Sequence, residues 1–102
     1  MDKVFIIEIN WDLKGGIGRD ILAVTTAENV KQCFKYFVDI EKSESYLQDF
    51  FNTDGTLKEG VESELQEYKD TDTSFMFLTN DYEYYTEISI IEKTIWKPNA
   101  TE

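Results

Sequence analysis

The 102-residue chain predicts one α+β domain, with a four-stranded, mostly antiparallel sheet and two or three helices packed on one face. Two apolar periods support this prediction. Alternation near both ends of the chain is typical of strands, and three- and four-residue spacing in the middle is typical of helices. The elements follow one another as β-β-α-(α)-α-β-β. Because the order contains no interleaved βαβ units, a parallel, doubly wound sheet is not expected.

The N-terminal segment is predicted to form a β-hairpin. Over residues 3–13 apolar and polar positions alternate with the period of two of a half-buried strand. A glycine-rich turn at residues 15–18 follows, and glycine tolerates the positive φ angles of tight turns. Residues 20–24 supply a short second strand that pairs through this turn. The odd face of the first strand is expected to meet the core: Phe5, Ile7, Ile9, Trp11 and Leu13.

A capping box predicts the first helix. Thr25 is the expected N-cap and Glu28 the residue that reaches back to it, so the helix should run over about residues 26–41. A short second helix is predicted after Ser43 or Ser45. The core face of the first helix is indicated by its apolar spacing: Val30, Cys33, Phe34, Phe37 and Val38.

A second capping box, Thr56 with Glu59, predicts a further helix up to about residue 70. Its apolar positions would be Leu57, Val61, Leu65 and Tyr68. The opposite, solvent-facing side would be acidic: Glu59, Glu62, Glu67 and Asp70.

Two strands are predicted at the C-terminal end, at residues 75–78 and from Tyr82 onward. In the last strand the even positions are the more apolar, so Tyr82 and Tyr84 are expected to face the core. Tyr85 should then point to the other side, together with Glu83 and Glu87. The domain is expected to span residues 1–98, followed by a polar tail at residues 99–102.

The charge is strongly acidic and unevenly distributed. Acids number 21 and bases 10, and residues 39–102 carry the whole net charge of −11. Such a field repels nucleic acid and anionic lipid and attracts basic partners, so we expect neither direct nucleic-acid binding nor membrane association. The N-terminus lacks signal-peptide features, and no apolar run approaches the ~20 residues of a membrane span. With one cysteine in the chain, a reducing, cytoplasmic location is expected.

Several chemistries are disfavoured by the residue types present. The chain has no histidine and one cysteine, which excludes a tetrahedral nitrogen and sulfur metal site within one chain. Asn52, Asp54 and Gly55 match the centre of a calcium loop, but Phe50 and Val61 occupy its first and last ligand positions. The carboxylate pairs lie in polar stretches without the apolar burial that tunes a catalytic acid. We therefore expect no metal, no cofactor and no enzymatic activity.

The segment from Asp70 to Phe75 reads DTDTSF and is followed by an aromatic turn and an apolar strand. Residues 65–95 thereby resemble the C-terminal half of short acidic bacterial proteins of unknown function. The resemblance implies a bacterial or mobile-element source, and it carries over no catalytic or binding residue.

The feature that remains is an acidic surface interleaved with tyrosine, which predicts a protein-interaction module for a basic partner. An alternative is a nucleic-acid mimic, whose carboxylates imitate a phosphate backbone and inhibit a nucleic-acid-binding enzyme. A third is a small-ligand-binding domain with a site lined by Trp11, Trp96 and tyrosines. The expected binding surface consists of Glu59, Glu62, Glu67, Asp70, Glu83, Tyr85 and Glu87.

Overall fold

Five antiparallel strands form one sheet in the computed structural model, which describes residues 2–13, 16–44 and 46–98. The strand order across the sheet is β2-β1-β5-β4-β3. One α-helix, α1, follows β2, and two 3₁₀-helices lie between α1 and β3. The bounds are β1 Lys3–Leu13, β2 Gly16–Thr25, α1 Val30–Glu44, 3₁₀-helices Tyr46–Phe50 and Val61–Glu64, β3 Leu65–Asp70, β4 Ser74–Thr79 and β5 Tyr85–Thr94.

The protein is an α+β fold, but the predicted layout of four strands with two or three helices is wrong. The described residues form five strands and a single α-helix. The predicted short helix appears as the 3₁₀-helix Tyr46–Phe50. The predicted helix that ends near residue 70 is replaced by the 3₁₀-helix Val61–Glu64 and the edge strand β3.

A bulge explains why β3 looked helical. The pairing of β3 with β4 is irregular between Leu65 and Glu67, so Leu65 lies opposite Thr79 and Tyr68 opposite Phe77. The extra residue puts positions three apart on the same face, which reproduces the helical spacing. Helix propensity is a weak preference that tertiary context overrides. Here that context is the pairing with β4.

Local backbone geometry also separates the two readings of this segment. Gly60 has φ 87° and ψ −16°, a left-handed conformation that interrupts any helix begun at Thr56. The Thr56 hydroxyl donates to Asp54 Oδ1 at 2.6 Å inside a turn and does not cap a helix. Tyr68 meanwhile packs edge-on against the rings of Phe75 and Phe77, with centroids 6.3 and 6.4 Å apart.

Helix α1 begins four residues later than its predicted first residue, at Val30. Thr25 remains in β2, where it pairs with Phe5, so it does not cap the helix. The backbone N–H of Asn29 donates to Thr26 O at 3.1 Å, and Cys33 N–H donates to Asn29 O at 2.9 Å. A turn thus precedes the helix.

The core lies between the sheet and the segment from α1 to Phe51. The strand β1 has the predicted bounds and buries Ile7 and Ile9 on its odd face. The strand β5 lies inside the sheet, between β1 and β4. The buried cluster consists of Ile7, Ile9, Phe34, Val38, Leu47, Phe51, Phe75, Phe77 and Ile88.

The burial of the three tyrosines at the start of β5 differs in part from the prediction. Tyr82 lies in the β4–β5 turn with φ 61° and is exposed, so its expected core position is wrong. Tyr84 is half-buried and packs edge-on against Phe50, at 5.5 Å between centroids. Tyr85 lies on the sheet face away from α1, as predicted.

The predicted glycine turn at residues 15–18 is wrong in its described part, because residues 16–18 belong to β2, whose predicted start was residue 20. Residue 15 and the predicted tail at residues 99–102 lie outside the described residues.

The β1–β2 hairpin depends on one close approach. The Trp11 indole covers Gly18, its pairing partner, and a Cβ at Gly18 would overlap the ring. Gly18→Ala should therefore displace the indole and lower the free energy of unfolding by about 1–3 kcal/mol, the usual range for overpacking. Urea titration measures the loss. Trp11 fluorescence in a Trp96→Phe background reports the displacement.

Asp20→Ala is the control for this prediction, because Asp20 is an exposed residue of the same strand. Its effect should be smaller. Equal losses in the two variants, with unchanged Trp11 emission, would contradict the role given to this contact.

Candidate functional site

Two acidic segments that are distant in sequence meet at one end of the sheet. The backbone N–H of Asn80 donates to Glu64 O at 2.9 Å, and its side-chain amide donates to Ser63 O at 3.0 Å. These bonds fix the 3₁₀-helix Val61–Glu64 against the β4–β5 turn. We call the resulting group the acidic end: Glu62, Glu64, Asp81 and Glu83.

Few cations accompany these carboxylates. Residues 58–87 contain nine acids and two bases, Lys58 and Lys69. Ion pairs elsewhere involve other acids, such as Lys3–Glu92 at 2.6 Å and Lys97–Asp2 at 2.9 Å. Glu62, Glu64 and Glu83 are all exposed, so their field extends into solvent.

A cavity of ≈ 350 Å³ opens within the acidic end. Phe50 and Tyr84 supply aromatic walls, and Glu64 and Asp81 supply carboxylates. Asp81 Oδ1 accepts hydrogen bonds from the Thr79 hydroxyl at 2.6 Å and from Glu83 N–H at 3.0 Å. The turn that carries Asp81 and Glu83 is therefore held by its own hydrogen bonds.

Tyr85 and its neighbours lie on the sheet face opposite α1, which we call the open face. The Tyr85 hydroxyl donates to Glu87 Oε1 at 2.5 Å. Burial, then the hydrogen bond and the charge of Glu87, then the charge of Glu67, raise the pKa of Tyr85 to about 12. This tyrosine is a neutral hydrogen-bond donor at physiological pH.

Asp70 takes a different position from the other predicted site residues. It lies on the core side of β3 and accepts a hydrogen bond from Lys42 Nζ at 2.6 Å. Lys42 also donates to Gly55 O at 3.0 Å and lies over the Phe51 ring at 5.4 Å. The Lys42 side chain is 10% exposed and that of Asp70 is 30% exposed.

Tyr68 completes this group by donating to Asp70 Oδ2 at 3.1 Å. Burial, followed by the charge of Asp70 and the hydrogen bond to it, raises the pKa of Tyr68 far above its ordinary value. Lys42 and Asp70 are thus already bonded to each other and to fixed neighbours. Their arrangement ties α1 to the edge strand β3 and to the turn at Gly55.

The predicted surface is therefore divided into three parts. Glu59, Glu62 and Asp70 line one cavity of ≈ 490 Å³ beside β3. Glu67, Tyr85 and Glu87 lie on the open face. There Leu78 pairs with Glu67 on one side and with Tyr85 on the other. Glu83 lies in the β4–β5 turn.

Sequence reasoning missed two residues that organise this region, Asn80 and Lys42. A signal for Lys42 exists, because Phe34, Val38 and Lys42 recur every four residues and share the buried stripe of α1. A charged residue on an apolar stripe requires a buried partner. For Asn80 the sequence contains no such signal.

The predicted tryptophan-lined pocket is not assembled from Trp11 and Trp96. Trp11 covers Gly18, whereas Trp96 is 82% exposed beyond β5. A cavity of ≈ 490 Å³ instead lies between α1 and the β3–β4 turn, over Phe34 and Val38. Its charged lining is balanced: Lys31, Lys35, Lys42, Asp39, Asp70 and Asp72.

Comparisons with protein-family models, curated proteins and solved structures found no match to this chain. Within residues 2–13, 16–44 and 46–98, the one α-helix is too short and too polar to cross a membrane.

The buried pair allows a stability test. Asp70→Asn leaves the Lys42 ammonium buried beside a neutral amide and should lower the free energy of unfolding by about 2–4 kcal/mol. In a Lys42→Met background, the same substitution should cost less than about 1 kcal/mol, because no buried charge is abandoned. Asp39→Asn breaks the exposed pair with Lys35 and serves as control, with about 0.5 kcal/mol expected. Urea unfolding that gives equal losses for Asp70→Asn and Asp39→Asn would overturn this account.

Tyr85 allows a test by pH. Its pKa is raised from 10.0 to about 12 in the folded protein, so the folded state holds this proton more tightly than the unfolded chain. The associated stability is complete below pH 10 and is lost as the pH rises toward 12. The difference in tyrosinate absorbance between wild type and Tyr85→Phe isolates this residue. Glu87→Gln should move its titration to lower pH, while a titration that stays in place would contradict the role of the Glu87 charge.

Proposed function

We propose that the protein is an interaction module that binds a basic protein segment through the acidic end. The observation that carries the proposal is the pair of hydrogen bonds from Asn80 to the backbone carbonyls of Ser63 and Glu64. They hold the segment that carries Glu62 and Glu64 against the β4–β5 turn, which carries Asp81 and Glu83. Because the two acidic segments are already joined, binding of a cationic partner does not lose the entropy of bringing them together.

The cavity beside Asn80 suits a lysine or arginine side chain. Phe50 and Tyr84 line it together with Glu64, and aromatic rings and a carboxylate are groups that attract a cation. Its volume of ≈ 350 Å³ is enough for one long side chain. A basic segment would therefore place one cation in the cavity and others along Glu62 and Glu83.

The salt dependence of binding follows from the exposure of these groups. Exposed charges are screened within about 8 Å at physiological ionic strength, so affinity should fall steeply as salt is added. The alternative, a nucleic-acid mimic that inhibits a nucleic-acid-binding enzyme, stays a prediction. In that case excess DNA or RNA should compete with this protein for the basic partner.

An oligoarginine peptide tests the acidic end directly, with affinity measured by fluorescence anisotropy at two salt concentrations. Neutralising Glu62, Glu64 and Glu83 to glutamine should weaken binding about tenfold, since each exposed pair contributes about 0.2–1 kcal/mol. The loss should shrink at high salt.

The matched control neutralises three exposed acids outside the acidic end, at Asp20, Glu28 and Glu44. Both triple variants change the net charge by the same amount, so the control isolates position from total charge. Equal weakening by the two variants would show that only the overall charge acts and would sink the proposal.

A further inference from the structure

The open face of the sheet has no covering element among the described residues. Helix α1 and the segment up to Phe51 pack on the opposite face, against the buried residues of β1, β4 and β5. An antiparallel sheet with one face in solvent normally presents polar side chains there. Here much of that face is apolar: Val4, Ile6, Ile17, Ile21, Val24, Met76, Leu78 and Ile91.

The apolar character is greatest on the side of β2. Ile17, Ile21 and Val24 are 81%, 56% and 61% exposed. Val24 pairs with Ile6 on β1, and Ile6 pairs with Ile91 on β5, so an apolar row crosses three strands. Contiguous exposed apolar surface of this kind marks an interaction site.

The charge of the open face differs from that of the rest of the protein. Its described charged residues are four acids and three bases, a net charge of −1 in a chain of −11. Glu8 is paired with Arg19 at 3.1 Å. A basic partner therefore finds little attraction here, and the face suits an occupant that is apolar and nearly neutral. The charged residues are Glu8, Asp12, Glu67, Glu87, Arg19, Lys69 and Lys93.

The size of the open face matches what a stable dimer needs. Five strands at about 4.8 Å spacing are roughly 24 Å wide, and six to eleven residues at about 3.3 Å span roughly 20–36 Å. The flat area is then roughly 500–800 Å², and side-chain relief adds to it. Stable interfaces bury about 800 Å² on each partner.

We propose that the occupant of the open face is a second copy of this chain. Two copies related by a two-fold axis would bring their open faces together, with the α1 helices on the outside. The open face is self-complementary, because the apolar surface of one copy can be buried against the same surface of the other. This proposal is independent of the acidic end, which lies at the edge formed by β3 and the β4–β5 turn.

Added salt should change the strength of the two proposed interactions in opposite directions. Two chains of −11 repel each other at long range, and their contact is apolar and nearly neutral. Added salt screens the repulsion and should strengthen the dimer. Binding of oligoarginine at the acidic end should weaken under the same conditions.

Sedimentation equilibrium over a range of concentrations and two salt concentrations tests the dimer. The double variant Ile21→Lys with Val24→Lys should raise the dimer dissociation constant about 100-fold, since it places lysines against apolar surface and against each other. Both positions are exposed in one copy, and circular dichroism melting checks that the variant folds. The matched control, Tyr36→Lys with Tyr46→Lys, changes two exposed aromatic residues of the helical side and should leave the dimer intact.

A wild-type protein that stays monomeric at high concentration and high salt would overturn the proposal, as would equal weakening by the two double variants. A monomer that uses the open face for a different protein would also overturn it. Each of these results leaves the oligoarginine experiment at the acidic end unaffected.

Discussion

The one α-helix among the described residues can cover only one face of the five-stranded sheet. On that face α1 and the segment up to Phe51 bury Ile7, Ile88, Phe75 and Phe77 in one core. Burial of such side chains supplies most of the stabilising free energy of a small domain. The same arrangement leaves the other face in solvent, so the core and the open face are two consequences of one constraint.

The aromatic cluster at the β3 side shows how this core accommodates a charge. Phe51 contacts Tyr68, Phe75 and Phe77, with ring centroids 5.8 to 6.4 Å apart. Lys42 enters the same region and is stabilised by Asp70, by the Gly55 carbonyl and by the Phe51 ring. A buried ammonium without these partners would be strongly destabilising. The edge strand β3 is thus held by ring packing and by one ion pair.

Charge and apolarity are separated in space, and that separation gives the molecule two surfaces of different chemistry. The acidic end lies where the 3₁₀-helix Val61–Glu64 meets the β4–β5 turn. The binding of cations that we propose there should weaken as salt is added. The open face is close to neutral and apolar, and contacts there gain from salt in so acidic a chain. Under the two proposals, one small domain would hold a basic segment at an edge while a second copy covers its sheet.

The sequence by itself determined those parts of the protein in which short-range pattern and final environment agree. Alternation in β1 gave its bounds and its buried face, and the acid count gave the sign of the field around residues 58–87. The period in the last strand also placed Tyr85 beside Glu87 on the outer face. These features depend on nearest neighbours along the chain, so no knowledge of the fold was needed.

Only the tertiary structure decided the rest, because it depends on contacts between distant segments. Residues 65–70 have helical spacing, but the bulge beside Leu65 and the free edge of β4 make them a strand. Asp70, which a helix would expose, is thereby turned toward Lys42. Asn80 brings two acidic segments together through hydrogen bonds to Ser63 and Glu64. No local sequence pattern predicts these bonds. That no described element covers the opposite face is likewise decided by tertiary packing, since both faces of β1 carry apolar residues.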